Sequence, residues 1–169
     1  MSVRTYNANF GNGNGTLLLN GSNGSSQWSY ANGEIFVGPG STLNAGAGFS
    51  PLTSNPAALL LRAGRNLSAN GKSLIFRCAS TANKTYTISY AAASTTGGFS
   101  THTWSWSNNA TGTFTPMGNA TLTSNFTTSS FTISNATTSN GTLFLRLTPS
   151  GATSASGTNL IDNIQIQYN

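Results

Sequence analysis

The chain has 169 residues and a formal net charge of +5, enough for one domain with a proper core and too short for two. Asn (21), Ser (24), Thr (25) and Gly (19) fill 89 positions, while charged residues make up only 5%. Three Trp, five Tyr and nine Phe argue against disorder. The scarcity of Lys, Glu and Leu-rich amphipathic stretches excludes a helical bundle, a coiled coil and a typical cytosolic enzyme. What remains is an all-β domain, expected outside the cell.

Period-two alternation dominates the sequence. In chain order it marks Tyr6-Ala8-Phe10, Leu17–Leu19, Glu34–Val37, Leu59–Leu61, Leu74-Phe76-Cys78 and Tyr86-Ile88-Tyr90. It continues through Trp104-Trp106, Leu122 towards Phe126, Phe131-Ile133, Leu143-Leu145-Leu147 and Ile164-Ile166-Tyr168. Turn clusters separate these runs, among them GNGNG at 11–15, SNNATG at 107–112 and PSGATSASG at 149–157. Short strands at this spacing predict a two-sheet antiparallel β-sandwich of jelly-roll type. The sequence contains no internal repeat. Its one internal boundary is GNGNG, which divides an N-terminal strand and Gly/Asn linker (1–15) from the sandwich (16–169).

The basic residues are scattered singly, so a nucleic-acid partner is not expected. No apolar run approaches the ~18–20 residues of a membrane helix, which argues against membrane insertion. The opening MSVRTYNANF lacks a signal-peptide pattern, so export would imply a signal that was removed or a sequence that begins at the mature chain. Cys78 is the single cysteine and falls in an apolar alternation, as a small buried hydrophobe would.

Catalysis is not expected. A glycosidase needs two carboxylates across one bond, and Glu34 and Asp162 are the only acids. A serine relay would have to use His102, the only histidine, which opens an HTWSW strand. Trp104 and Trp106 share a face, either as core packing or as a platform on which sugar rings stack. Trp28 and Tyr30 are a weaker pair of the same kind. Asp162 shares parity with Leu160, Ile164, Ile166 and Tyr168, which places it on the apolar face of the last strand. A buried carboxylate there must be hydrogen-bonded, paired or metal-bound. Ten Asn-x-Ser/Thr sequons begin at Asn14, Asn20, Asn23, Asn66, Asn83, Asn109, Asn119, Asn125, Asn135 and Asn140. Chance would give about six, so covalent N-linked glycans are expected on part of this set.

The second half carries a resemblance. YTISYAAASTTGGFSTHTWSWSNNATGTFTPMG, with the Trp-Ser-Trp strand at 104–106, LRLTPSGATSASG at 145–157 and IDNIQI at 161–166, resembles a jelly-roll domain of secreted bacterial surface proteins. Such domains occur with autotransporter-like or PEP-CTERM-type anchors, and the resemblance spans about residues 73–169. It implies an extracellular sandwich with lectin-like or carbohydrate-module-like topology and no enzymatic activity. It also implies Asp162 as a weak candidate for a structural Ca²⁺, otherwise with no cofactor; one acid is thin for an ion that takes six to eight oxygens.

Two function classes follow. The leading expectation is a glycosylated structural subunit of an extracellular filament or surface assembly, with itself as partner in a homopolymer. Tyr6, Ala8 and Phe10 would form one face of a donor strand, and GNGNG would let that strand reach a neighbouring subunit head-to-tail. The same strand folding back onto its own sheet is the alternative in cis. The other class is a carbohydrate-binding or adhesive module that takes glycans on Trp104 and Trp106.

Overall fold

The alternating runs become strands because β-branched and aromatic side chains at every second position can line one buried face of a pleated sheet. The computed structural model describes residues 2–6, 17–20, 35–44, 57–80, 83–136 and 141–168. Among them are β1 (Ser2–Tyr6), β2 (Leu17–Asn20), β3 (Ile35–Pro39), β4 (Ala57–Arg62) and β5 (Ser73–Ala79). Then come β6 (Lys84–Ser94), β7 (Thr101–Ser107), β8 (Thr115–Thr121), β9 (Thr127–Ala136), β10 (Thr142–Ser150) and β11 (Thr158–Tyr168).

These strands form two antiparallel sheets. One runs β3-β4-β11-β6-β9 with β1 also paired to β11; the other runs β2-β5-β10-β7-β8. The expected jelly-roll sandwich is what the chain forms. Its core is the set of side chains between the sheets: Leu59 and Leu61, Tyr86, Ile88 and Tyr90, Leu143, Leu145 and Leu147, and Ile161, Ile164 and Ile166 are all buried. Each large apolar side chain so buried stabilises the fold by about 1.5–3 kcal/mol.

Trp104 lies at the centre of this core with no exposed surface. It stacks on Phe76 at 5.8 Å and meets Tyr90 edge-on at 5.2 Å. Across one end of the sandwich the turns at 95–100 and 151–157 touch. A Cβ at Gly157 would stand 2.1 Å from the Gly97 carbonyl oxygen, so only glycine fits there.

Three elements bear on the sequence expectations. First, the run from Leu122 towards Phe126 is not a strand. The edge strand β8 precedes it and ends at Thr121. Its sequence TPMGNAT carries Pro116 and Gly118 and little alternation, which hid it from a periodicity reading.

Second, β1 pairs with β11 of its own chain, Ser2 opposite Tyr168 through Tyr6 opposite Ile164. This is the pairing in cis, and it makes residues 2–6 part of the six-stranded sheet. Ala8, Phe10 and GNGNG lie outside the described residues.

Third, β11 contains a bulge. It pairs with β6 with Asp162 opposite Ala91 and Gln165 opposite Ser89, so three steps on β11 match two on β6. Asn163 takes up the extra residue in the left-handed region, at φ 48°. Parity therefore flips. Ile164 and Ile166 face the core together with Ile161, whereas Asp162 falls on the outer face of the six-stranded sheet.

Candidate functional site

The bulge explains how Asp162 is outside the core yet buried. Residues 40–44, which follow β3, fold over this part of the outer face. The Asp162 carboxylate accepts from Ser41 N at 2.7 Å and from Asn163 N at 2.8 Å. The Asn163 amide donates to the carbonyls of Ser41 (2.7 Å) and Leu43 (2.8 Å). Asn44, itself left-handed at φ 58°, donates to the Asn163 carbonyl at 2.7 Å, and Gln165 donates to the Asn44 carbonyl. Burial pushes the Asp162 carboxyl above its ordinary value, and the two backbone N–H groups pull the other way.

The carbonyl oxygens of Ser41, Leu43 and Asn44 accept from the side-chain amides of Asn163 and Gln165. Asp162 is thus held by hydrogen bonds.

Trp104 and Trp106 do not form a sugar platform. In register they stand opposite Leu147 and Leu145, on the core side of β7; Trp104 is fully buried and Trp106 is partly buried against the core. His102 shares that inner face. Asn159 accepts from Phe99 N at 2.8 Å, which orients its amide to donate to His102 Nε2 at 3.1 Å. The imidazole proton then sits on Nδ1, 3.2 Å from the Tyr90 hydroxyl. Burial pulls the His102 pKa down to about 3 and pushes that of Tyr90 up to about 12. Trp104 Nε1 is buried without a partner of hydrogen-bond geometry, although the Tyr90 hydroxyl is a near neighbour. Enclosed on all sides, this network specifies the core and has no access to a substrate.

The sequon asparagines with described side chains, Asn66, Asn83, Asn109, Asn119 and Asn125, are all exposed. Asn20 and Asn135 lie on β2 and β9. Asn14, Asn23 and Asn140 lie outside the described residues, as do Trp28 and Tyr30.

The surface that sequence reasoning missed is the outer face of the five-stranded sheet. Along β10 the residues that alternate with the three core leucines are Thr142, Phe144, Arg146 and Thr148. Arg146 occupies the middle of the central strand, between Ile75 of β5 and Ser105 of β7. Its Nε donates to Ser105 Oγ at 3.1 Å, and its guanidinium lies 4.2 Å over the ring of Phe114, from the β7–β8 loop. That loop is ordered by Asn109, which accepts from Thr111 N at 3.0 Å while its own N–H donates to Ser107 Oγ at 3.1 Å. Thr148 stands opposite Thr103 and bonds Ser73 Oγ at 2.8 Å; Asn119 lies beyond Thr103 on β8.

Half-buried Phe114, Phe144 and Arg146 therefore share a surface with Ile75 and Arg77 of β5 and with the small hydroxyls of β7 and β10. Rings that present apolar faces beside hydroxyl and guanidinium donors can meet both the C–H and O–H faces of a sugar. The signal was present in the sequence: LFLRLT alternates leucine with a Phe and an Arg where a plain solvent face needs neither.

No family model matches the sequence, and neither does any curated protein. Solved structures do match the fold. The K2 cleaved adhesin domain of Lys-gingipain superposes with a TM-score of 0.59 at 12% identity, covering 98% of this chain and 99% of that one. The carbohydrate-binding module TmCBM61, solved with β-1,4-galactotriose, gives 0.54 at 12% identity, covering 83% and 86%. The CBM22-1 xylan-binding domain of Paenibacillus barcinonensis Xyn10C gives 0.53 at 14%, covering 90% and 92%. At these identities the likeness is one of fold.

Proposed function

We propose that this chain is an extracellular, non-catalytic carbohydrate-binding module whose glycan lies across the outer face of the five-stranded sheet. The observation that carries this reading is the Arg146–Phe114 pair, set with Phe144 among hydroxyls on one face. The fold neighbours add support, because one was solved with a galactotriose and another is a xylan-binding domain. Among the described residues Asp162 is the only acid and no cluster of three metal-ligating side chains occurs. No described helix is long and apolar enough to cross a membrane.

The filament reading would require β1 to leave the β11 of its own chain and pair with that of another. Glycans on the exposed sequons are compatible with either role. They would keep a surface of few charges soluble.

Affinity electrophoresis against galactan, xylan and other neutral polysaccharides tests the module. Retardation by at least one of them is expected, with Phe114→Ala and Phe144→Ala each weakening it roughly 5–100-fold at unchanged melting temperature. Retardation that survives both substitutions would move the site elsewhere.

A further inference from the structure

Arg146 is placed unlike a solvent-facing arginine. It sits on the central strand of its sheet, half-buried, with Nε tied to Ser105 and its planar face on Phe114. Those two contacts fix the plane of the guanidinium and commit one of its five N–H donors. Such a plane offers paired N–H donors in the geometry that a carboxylate accepts bidentately.

The described residues supply no carboxylate for it. Asp162, the only acid among them, lies on the outer face of the opposite sheet with its oxygens engaged by Ser41 and Asn163. The other acid of the chain, Glu34, lies outside the described residues. Around Arg146 the face carries Ile75 directly opposite on β5, Arg77 opposite Phe144, and the half-buried hydroxyls of Thr103 and Thr148, none of which is an anion. The net charge of +5 draws polyanions towards the chain as a whole.

We infer that the face selects glycans built from carboxylate-bearing sugars, with Arg146 receiving the carboxylate over Phe114 and the flanking hydroxyls taking the ring hydroxyls. This rests on the carbohydrate-binding reading above and narrows it to polyuronate-type chains.

Two matched pairs of polysaccharides test it without any variant: polygalacturonate against its methyl ester, and alginate against its propylene glycol ester. Each pair keeps the backbone and removes the charge. The full chain, titrated calorimetrically, is expected to bind the acid form of at least one pair roughly 10–100-fold tighter than the ester. That preference should shrink with added salt. Arg146→Gln should abolish the preference. Arg146→Lys, which keeps the charge and loses the planar fork, should retain only part of it. Glu34→Gln should bind as the wild type does.

Equal affinity for acid and ester, with neutral polysaccharide binding intact, would overturn the carboxylate assignment and leave the module reading standing. Failure to bind any acidic or neutral polysaccharide would overturn both. Tighter acid binding by Glu34→Gln would show that the chain supplies its own counter-ion to Arg146, and would overturn the assignment as well.

Discussion

The outer faces of the two sheets each hold an ionisable group, and they treat it in opposite ways. On the six-stranded sheet, Asp162 is covered by residues 40–44, and its carboxylate meets the N–H groups of Ser41 and Asn163. On the five-stranded sheet, Arg146 meets one hydroxyl and one ring. A charge supplied with its full set of partners from within the chain serves the fold. A charge left half-desolvated with no carboxylate beside it among the described residues gains most from a partner that arrives from outside. On the carbohydrate-binding reading proposed above, the first face is structural and the second is available.

Substitution at the bulge should separate the faces most sharply. Asn163→Ala removes both amide bonds to the 40–44 loop and leaves an L side chain at φ 48°, so it should cost about 2–4 kcal/mol in chemical denaturation. Asn163→Gly, which loses the same bonds and accepts the backbone, should cost less. If the two variants were equally stable, backbone strain would have no part in the bulge.

Acid should act next most strongly, and through the core. His102 is neutral in the fold, with its pKa pulled to about 3, and ordinary in the unfolded chain. The unfolded chain therefore binds the extra proton first. This stability is complete above about pH 6.5 and is lost as pH falls towards 3, on the order of a few kcal/mol. Asp162 works in the opposite direction. Its folded carboxyl is raised by burial, so protonation on acidification relieves a cost to the fold. The histidine shift is the larger influence, and melting temperature measured against pH should fall from pH 6.5 to 4. A flat profile would mean that imidazolium is tolerated inside the sandwich.

The smallest effect concerns metal. Because the carbonyls of the 40–44 loop already receive amide N–H groups, chelation should leave the melting temperature within a degree or so. A drop of several degrees with EDTA, restored by Ca²⁺, would show that Asn163 turns to admit an ion and that the bulge is a metal site.

Much of the fold was legible from alternation alone. β5, β6, β7, β9 and β10 lie where Leu74-Phe76, Tyr86-Ile88-Tyr90, Trp104-Trp106, Phe131-Ile133 and Leu143-Leu145-Leu147 predict strands. A period of two survives translation from sequence to sheet wherever pairing is regular. It failed at β11, because one extra residue at Asn163 exchanges the two faces and nothing local in LIDNIQI announces it. The site was illegible for a different reason. The large residues of HTWSW are what the core requires, while the informative departure lies in the minority phase of β10. There Phe144 and Arg146 occupy positions that only exposure or binding explains.

The pairing of Ser2 with Tyr168 brings the N-terminal and C-terminal strands together at their outer ends. Tension applied across those ends would load the β1–β11 ladder one rung at a time, as a zipper opens, and not all rungs together as in shear. β1 is also short, and it shares its side of β11 with β4, which pairs the earlier stretch from Thr158 to Ile161. The β1–β11 ladder is therefore the first to open under such a load, while β5, β10 and β7, which carry the proposed glycan face, lie in the other sheet. A pull on the chain ends would peel away the first strand and leave that surface standing.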